Sequence, residues 1–352
     1  MKKKTKIFLA IIITVALLLA LNQNTDPIPN STKILKEGTI DKNDKTYSYQ
    51  LLRLEGKNEP SYAVYIQNDR PETVFITKPY TAIDWTEEKI DQKQWNPQSI
   101  EEITEESNIY LYNGFSVLNV FGRFYTEGDI ENDINDMLAG MNFLSNKTKK
   151  IGITGMSWGG FEAIYTAANS NPKPIVGVAY YPPTDFQSWR NWAENTNEDF
   201  FTPYIERIDK TTQGNFTSWS HDYLAANLET KFLIIHAHED TLVPIEQSIS
   251  LSKLSDKINL LTLNLEKGKL SHGEQSQDIL PIEYRIAPAY LMRALTKDNI
   301  TIIVDKKAIE DTKSELVKNI LLDEQIIFLE INENRILSKE EIQELLTKNQ
   351  TN

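Results

Sequence analysis

The chain has no cysteine in 352 residues. That absence excludes disulfides, thiolate nucleophiles and cysteine-ligated zinc or iron–sulfur centres. Histidine is nearly as scarce: His221, His236, His238 and His272 are the full complement, which leaves little for a histidine-rich metal site. Positive charge is in deficit too. The net charge of −13 argues against nucleic acid as a partner, because phosphate binding needs a basic surface. Glycine, at 14 residues, has only about half its usual share. Long apolar runs are missing except at the N-terminus.

Hydrophobic residues still make up 40% of the chain, enough for a substantial core. At the N-terminus, "MKKKTKIFLAIIITVALLLALNQN" places four lysines ahead of an apolar run from Ile7 to Leu21. This is the layout of an export signal, and the run is short for a membrane span of about 20 residues. Residues 1–22 are expected to be a cleaved signal peptide or an uncleaved signal anchor. Export is therefore expected, with the membrane reached only through an uncleaved segment. Residues 23–32, "QNTDPIPNST", read as a linker.

From Lys33 to Gln67 short alternating segments predict antiparallel strands. "TVFITKPY" (73–80) and "FSVLNV" (115–120) read as buried strands. Apolar residues at Ile130, Ile134, Met137, Leu138, Met141 and Leu144 follow helical spacing. "KIGIT" (150–154), "IVGVAYY" (175–181), "KFLIIHA" (231–237) and "NLLTLNL" (259–265) continue the strands, with helices expected through about Ala168, around Ile245–Leu254 and around Tyr284–Leu295. Repeated strand–helix alternation predicts an α/β fold with a mainly parallel, doubly wound sheet over residues 33–298. An aromatic-rich stretch at 183–227 interrupts it and is expected to form a helical cap. Residues 299–352 read as a small βαβα extension, in which Ser338 and Glu341 fit a capping box.

Three of the scarce glycines, Gly155, Gly159 and Gly160, surround one serine in "GITGMSWGG". A serine hydroxyl is a poor nucleophile unless it is held where a base can reach it. A sharp strand-to-helix turn does this, and it leaves room only for glycine two positions to either side. Gly155-Met156-Ser157-Trp158-Gly159 has that spacing between a predicted strand and a predicted helix. The turn also sets the Trp158 backbone N–H at a helix start, facing a developing oxyanion.

A nucleophilic serine needs a base and an orienting acid. Asp240, in "IIHAHEDTLVP", lies just past the strand 231–237. His272, in "KGKLSHGEQ", lies past the strand 259–265. All three residues follow the C-terminal ends of different strands and converge on one sheet edge. Asp185 is an alternative acid and His221 a weaker base. His236, His238 and Asp240 also spell H-x-H-x-D, a zinc-site spacing, but Thr241 stands where another histidine ligand is required. No metal or cofactor is called for.

These residues resemble the α/β-hydrolase superfamily over about 45–297. "GMSWGG" is similar to its nucleophile elbow, and "HAHEDTLVP" to its acid loop. Within it, the chain looks like the dienelactone hydrolase, prolyl oligopeptidase and cocaine-esterase neighbourhood. "ITKPYT" resembles an oxyanion loop of that neighbourhood, which implies an oxyanion donor at Tyr80 beside Trp158. The resemblance implies a serine hydrolase with Ser157, Asp240 and His272 as its triad. A small ester or short peptide is the expected substrate, with a carboxylesterase favoured. A peptidase of the same fold, or a catalytically silent envelope binding protein, stays open. Trp189, Trp192 and His238 are candidate pocket residues. Glu194, Glu198 and Asp199 are available to grip a free N-terminus, and Arg190 to meet a substrate carboxylate.

Overall fold

The computed structural model describes residues 31–348, apart from 43, 58–59, 79–99, 124–128, 197, 265–271, 273–280, 311 and 313. Nine strands form one sheet: β1 (Thr32–Lys42), β2 (Lys45–Leu54), β3 (Ser61–Gln67), β4 (Thr73–Lys78), β5 (Ser116–Phe121), β6 (Ile151–Met156), β7 (Val176–Tyr180), β8 (Lys231–Ala237) and β9 (Ile258–Leu263). Their spatial order is β1-β2-β3-β5-β4-β6-β7-β8-β9. The first four in that order pair antiparallel. From β5 onward all pairing is parallel. A parallel pair needs a crossover, and helices supply it.

Those helices are α1 (Ile100–Glu106), α2 (Asn108–Tyr112), α3 (Ile130–Ser145) and α4 (Trp158–Asn169). They continue with α5 (Phe186–Thr196), α6 (Thr202–Thr212), α7 (His221–Asn227) and α8 (Glu246–Leu254); a further helix, α9 (Ile282–Leu295), follows β9. The first two lie between β4 and β5 and bury Ile100, Ile103, Tyr110 and Leu111.

Side chains alternate across a strand, so the sheet buries two apolar layers. On β8, Phe232 and Ile234 join the layer with α3, α4 and the cap helices α5–α7. Leu233, Ile235 and Ala237 join the opposite layer, with α9. On β6 that opposite face is Gly152, where a Cβ would lie 2.7 Å from Leu291. The missing side chain lets α9 lie close to the sheet.

The C-terminal residues build their own three-stranded sheet: β10 (Ile300–Val304), β11 (Ile326–Glu330) and β12 (Arg335–Leu337). β10 and β11 run parallel, and β12 returns antiparallel. The strand β12 and the division of the intervening helix into α10 (Lys306–Glu310) and α11 (Glu315–Leu321) go beyond a simple βαβα reading. The last helix is α12 (Lys339–Lys348). Its capping box forms: the Ser338 N–H donates to Glu341 and the Glu341 N–H donates to the Ser338 hydroxyl. Ile300 and Ile302 share an apolar cluster with Leu291, Met292 and Leu295 of α9. Asn113 bonds both backbone groups of Thr301, and Arg70 reaches Asp298. The extension is thereby docked against α9 and the turn before β5.

Candidate active site

Strand β6 delivers the serine. Ser157 has φ 55° and ψ −122°, a left-handed backbone that a non-glycine residue adopts only at a cost. Two hydrogen bonds hold it. The Ser157 N–H donates to Tyr180 O at 2.9 Å, and the Thr77 hydroxyl, from the end of β4, donates to Gly159 O at 2.6 Å. A Cβ on Gly155 would sit 2.2 Å from both Gly159 O and Thr77 Oγ1. Glycine is therefore required there by contact with backbone. The Trp158 N–H is the first of α4, one residue past the serine.

Strand β8 delivers the acid. Asp240 is 8% exposed. Its Oδ1 accepts the N–H groups of Leu242 and Val243, each at 2.8 Å. Behind it lies His236, fully buried. His236 Nε2 is 2.9 Å from Val243 O and 3.3 Å from Asp240 Oδ2. Both are acceptors, so Nε2 carries the hydrogen, and Nδ1 accepts from the Ser248 hydroxyl at 2.7 Å. Both ring nitrogens are thus engaged by the protein. Burial alone would raise the Asp240 carboxyl. Hydrogen bonds from His236 and His272, the His272 charge and the Val243 N–H outweigh it and hold the group below its ordinary value.

The third residue closes the set. His272 Nδ1 lies 3.0 and 2.7 Å from the two Asp240 carboxylate oxygens, so Nδ1–H donates. Nε2 lies 2.8 Å from Ser157 Oγ and accepts the serine hydrogen. This is hydrogen-bond reach for proton transfer. The Tyr181 ring lies against the imidazole, with centroids 4.4 Å apart.

A pocket of about 370 Å³ opens beside Ser157 and His272, within the range of small-molecule sites. Apart from those two, the described residues of its walls are apolar or aromatic, including Met156, Trp189, Phe201, Tyr204, Leu242 and Val243. The Trp189 indole N–H donates to Leu242 O at 3.1 Å, tying the cap to the acid loop.

The prolyl oligopeptidase family model matches residues 125–297, a span that holds Ser157, Asp240 and His272. The chain is a serine hydrolase of α/β-hydrolase fold. No curated protein matches its sequence. Among solved structures, an acetyl xylan esterase from Paenibacillus sp. R4 aligns with a TM-score of 0.53 at 12% identity, over 77% of this chain and 90% of that one. The acylaminoacyl peptidase of Pyrococcus horikoshii aligns at 0.51 and 17% identity, over 72% of this chain and 42% of that one. An acylaminoacyl peptidase in complex with Z-Gly-Gly-Phe-chloromethyl ketone aligns at 0.52 and 17%, over 79% and 44%. The hydrolase therefore spans less than half the length of these peptidases. At such identities the likeness is one of fold.

Other expected residues lie elsewhere in the hydrolase. Tyr80 falls outside the described residues. Of the pocket candidates only Trp189 lines the cavity. Trp192 lies one turn along the cap helix and packs edge-on to Phe201. His238 is exposed, in the turn just beyond the end of β8. His221 and Asp185 sit together at the cap base. There His221 Nε2 is 2.8 Å from the Thr184 hydroxyl, which itself donates to Gln247 O. Arg190 forms a two-point pair with Asp209 and a further bond to Glu194 within the cap.

The aromatic insertion does two jobs. Phe186 and Trp219 stack against Trp158, Phe161 and Tyr165 of α4, while Trp189, Phe200, Phe201 and Tyr204 face the cavity. Beneath α4 lies a cluster that no sequence motif announces. Asp133 accepts the Trp158 indole N–H at 3.4 Å and the Arg123 N–H at 3.1 Å. Arg123 grips Asp136 with two bonds of 2.7 Å. Burial pushes Asp133 up to about 7, against Arg207, the indole and Arg123. Glu162 is fully buried, and neither carboxyl oxygen has a hydrogen-bond partner among the described residues. Burial, then Asp133 and Asp136, raise it well above its ordinary value.

Proposed function

We propose that the protein is an exported hydrolase that cleaves a carboxylic ester with an apolar or aromatic group, through a covalent acyl-enzyme. Ser157 Oγ attacks the carbonyl carbon while His272 Nε2 takes its proton. The carbonyl π pair moves onto oxygen, and the Trp158 N–H and a donor at Tyr80 stabilise that charge. The tetrahedral centre collapses, the leaving alkoxide departs with the proton from His272, and Ser157 is left acylated. Water then repeats the sequence and releases the acid. Asp240 keeps Nδ1–H as the donor and stabilises the imidazolium.

The observation that carries this reading is the 2.8 Å contact from His272 Nε2 to Ser157 Oγ, with Asp240 on the other ring nitrogen. A fluorophosphonate probe tests it. Wild type should label and Ser157→Ala should not; an unlabelled wild type rejects the nucleophile. The lysine-led apolar N-terminus supports export. Fractionation of the producing cells, with N-terminal sequencing of the product, checks it.

Fold likeness does not choose between esters and peptides, since an esterase and peptidases share it. The pocket favours esters. No acidic side chain is among the described residues that line it. Glu194 is engaged by Arg190, and Glu198 and Asp199 are exposed. Among the described lining residues a free N-terminal ammonium finds no counter-charge. p-Nitrophenyl esters of graded acyl size, run beside aminoacyl-anilides, decide the matter. Faster turnover of the anilides overturns the ester reading.

A further inference from the structure

Two adjacent strands end on strained residues. Ser157 follows β6 with φ 55°, and Tyr181 follows β7 with φ 40°. The nucleophile elbow accounts for the first. Nothing in the reaction scheme accounts for the second. Tyr181 also precedes Pro182, and a following proline pushes a residue toward extended backbone. A bulky residue held in the left-handed region against both preferences points to a demand at that place.

The effect of the strain is visible. Alternation along β7 would send Tyr180 and Tyr181 to opposite faces of the sheet. Instead both belong to the same apolar cluster. The Tyr181 N–H donates to Ile235 O at 2.8 Å, and the Tyr180 carbonyl accepts the Ser157 N–H. The two strained residues are therefore braced through one peptide unit. The Tyr181 ring is 2% exposed and meets the imidazole of His272 with centroids 4.4 Å apart and planes at 53°.

We infer that Tyr181 is a positioning residue: its strained backbone swings the ring onto His272, where it backs the imidazole and favours the cation formed when Ser157 loses its proton. The inference rests on the proposed triad. A cation lying over an aromatic face within about 6 Å of the centroid is attracted by that face. Among the described residues, Asp240 holds Nδ1 of the imidazole with His236 behind it, Ser157 meets Nε2, and Tyr284 of α9 acts electrostatically on both Tyr181 and Asp240. Tyr284 stacks on Tyr180 at 5.6 Å. Burial first, then Tyr284 and Asp240, raises the Tyr181 hydroxyl, so the ring stays a neutral phenol.

The test uses p-nitrophenyl acetate, whose small acyl group makes little use of the pocket, and counts active sites by fluorophosphonate labelling. Tyr181→Leu should lower kcat on the order of 3- to 30-fold, with KM changed less than about 2-fold. The acid limb of its kcat/KM profile should move to lower pH by about half a unit to one unit. Tyr181→Phe should restore most of the loss and return the limb. A purely structural role would lower stability without moving it. Should Tyr181→Leu fail to fold, phenylalanines of increasing fluorination at position 181 keep the shape and drain the ring face; the limb should then step down with each fluorine. A limb that stays put across the series, or Tyr181→Phe falling as far as Tyr181→Leu, overturns the inference. A wild type that does not label removes the triad reading and this inference with it. A labelled wild type with an unmoved limb removes this inference alone.

Discussion

Two buried aspartates behave in opposite ways. Asp240 and Asp133 are both hidden from water, at 8% and 0% exposure. Asp240 is held below its ordinary range, whereas Asp133 is pushed up to about 7. Burial raises both. Asp240 meets two backbone N–H groups and two imidazoles. Asp133 meets an indole N–H at 3.4 Å and one backbone N–H, and these, with the charges of Arg207 and Arg123, do not offset its burial. The number and quality of donors decide the state of a buried carboxyl, and depth alone does not. The site that orients the imidazole is kept anionic. The carboxyl under α4 is held well above the ordinary carboxylate range.

The comparison is broken most severely by Asp240→Asn. The amide keeps the shape but favours the wrong imidazole tautomer, so kcat should fall on the order of 10⁴-fold, with little change in the far-ultraviolet circular dichroism. A smaller break is His236→Phe, which removes one donor. Losing a hydrogen bond to a charged group should cost about 1.5–3 kcal/mol in urea unfolding. A depressed carboxyl stabilises the fold above its unfolded value, and that stability is lost as pH falls through the folded value. With Asp240 less depressed, acid unfolding of His236→Phe should begin at higher pH.

The other side of the comparison predicts gains. Glu162→Leu removes a buried carboxyl with no hydrogen-bond partner among the described residues and should raise stability by about 1–3 kcal/mol at pH 8. A lower melting temperature would count against this. Asp133→Asn should give the smallest effect. A raised carboxyl stabilises the fold at low pH, and that contribution is lost as pH climbs from the unfolded value toward about 7. The variant should therefore lose less stability than wild type between pH 4 and pH 7. Parallel slopes over that window would show that Asp133 does not titrate there.

Much of the frame is legible in the amino-acid order. Strand β8 falls on the residues its apolar run marks, and α3 follows its 3.6-residue stripe. The Ser338–Glu341 cap forms because both partners are three residues apart. The elbow was readable because its glycines answer a local steric demand. Supporting residues were not readable. Thr77 and Gly159 are 82 positions apart, and Asp133 and Trp158 are 25 apart. His236 looked like one member of a zinc-type spacing, and only its neighbours Val243 and Ser248 show which hydrogen it carries. His238, two residues on, shares that spacing but faces solvent.

By itself the order of residues determined which segments alternate, where the backbone must turn sharply, and that serine, aspartate and histidine follow the ends of three different strands. Those are short-range properties, set by side-chain volume and by the periods of strand and helix. Only the tertiary structure decided which carboxyl is anionic, which ring lies against the imidazole and which aromatics wall the cavity. Each of these depends on the distance between segments remote in the chain, and a hydrogen bond or a ring contact exists only once packing has brought them together.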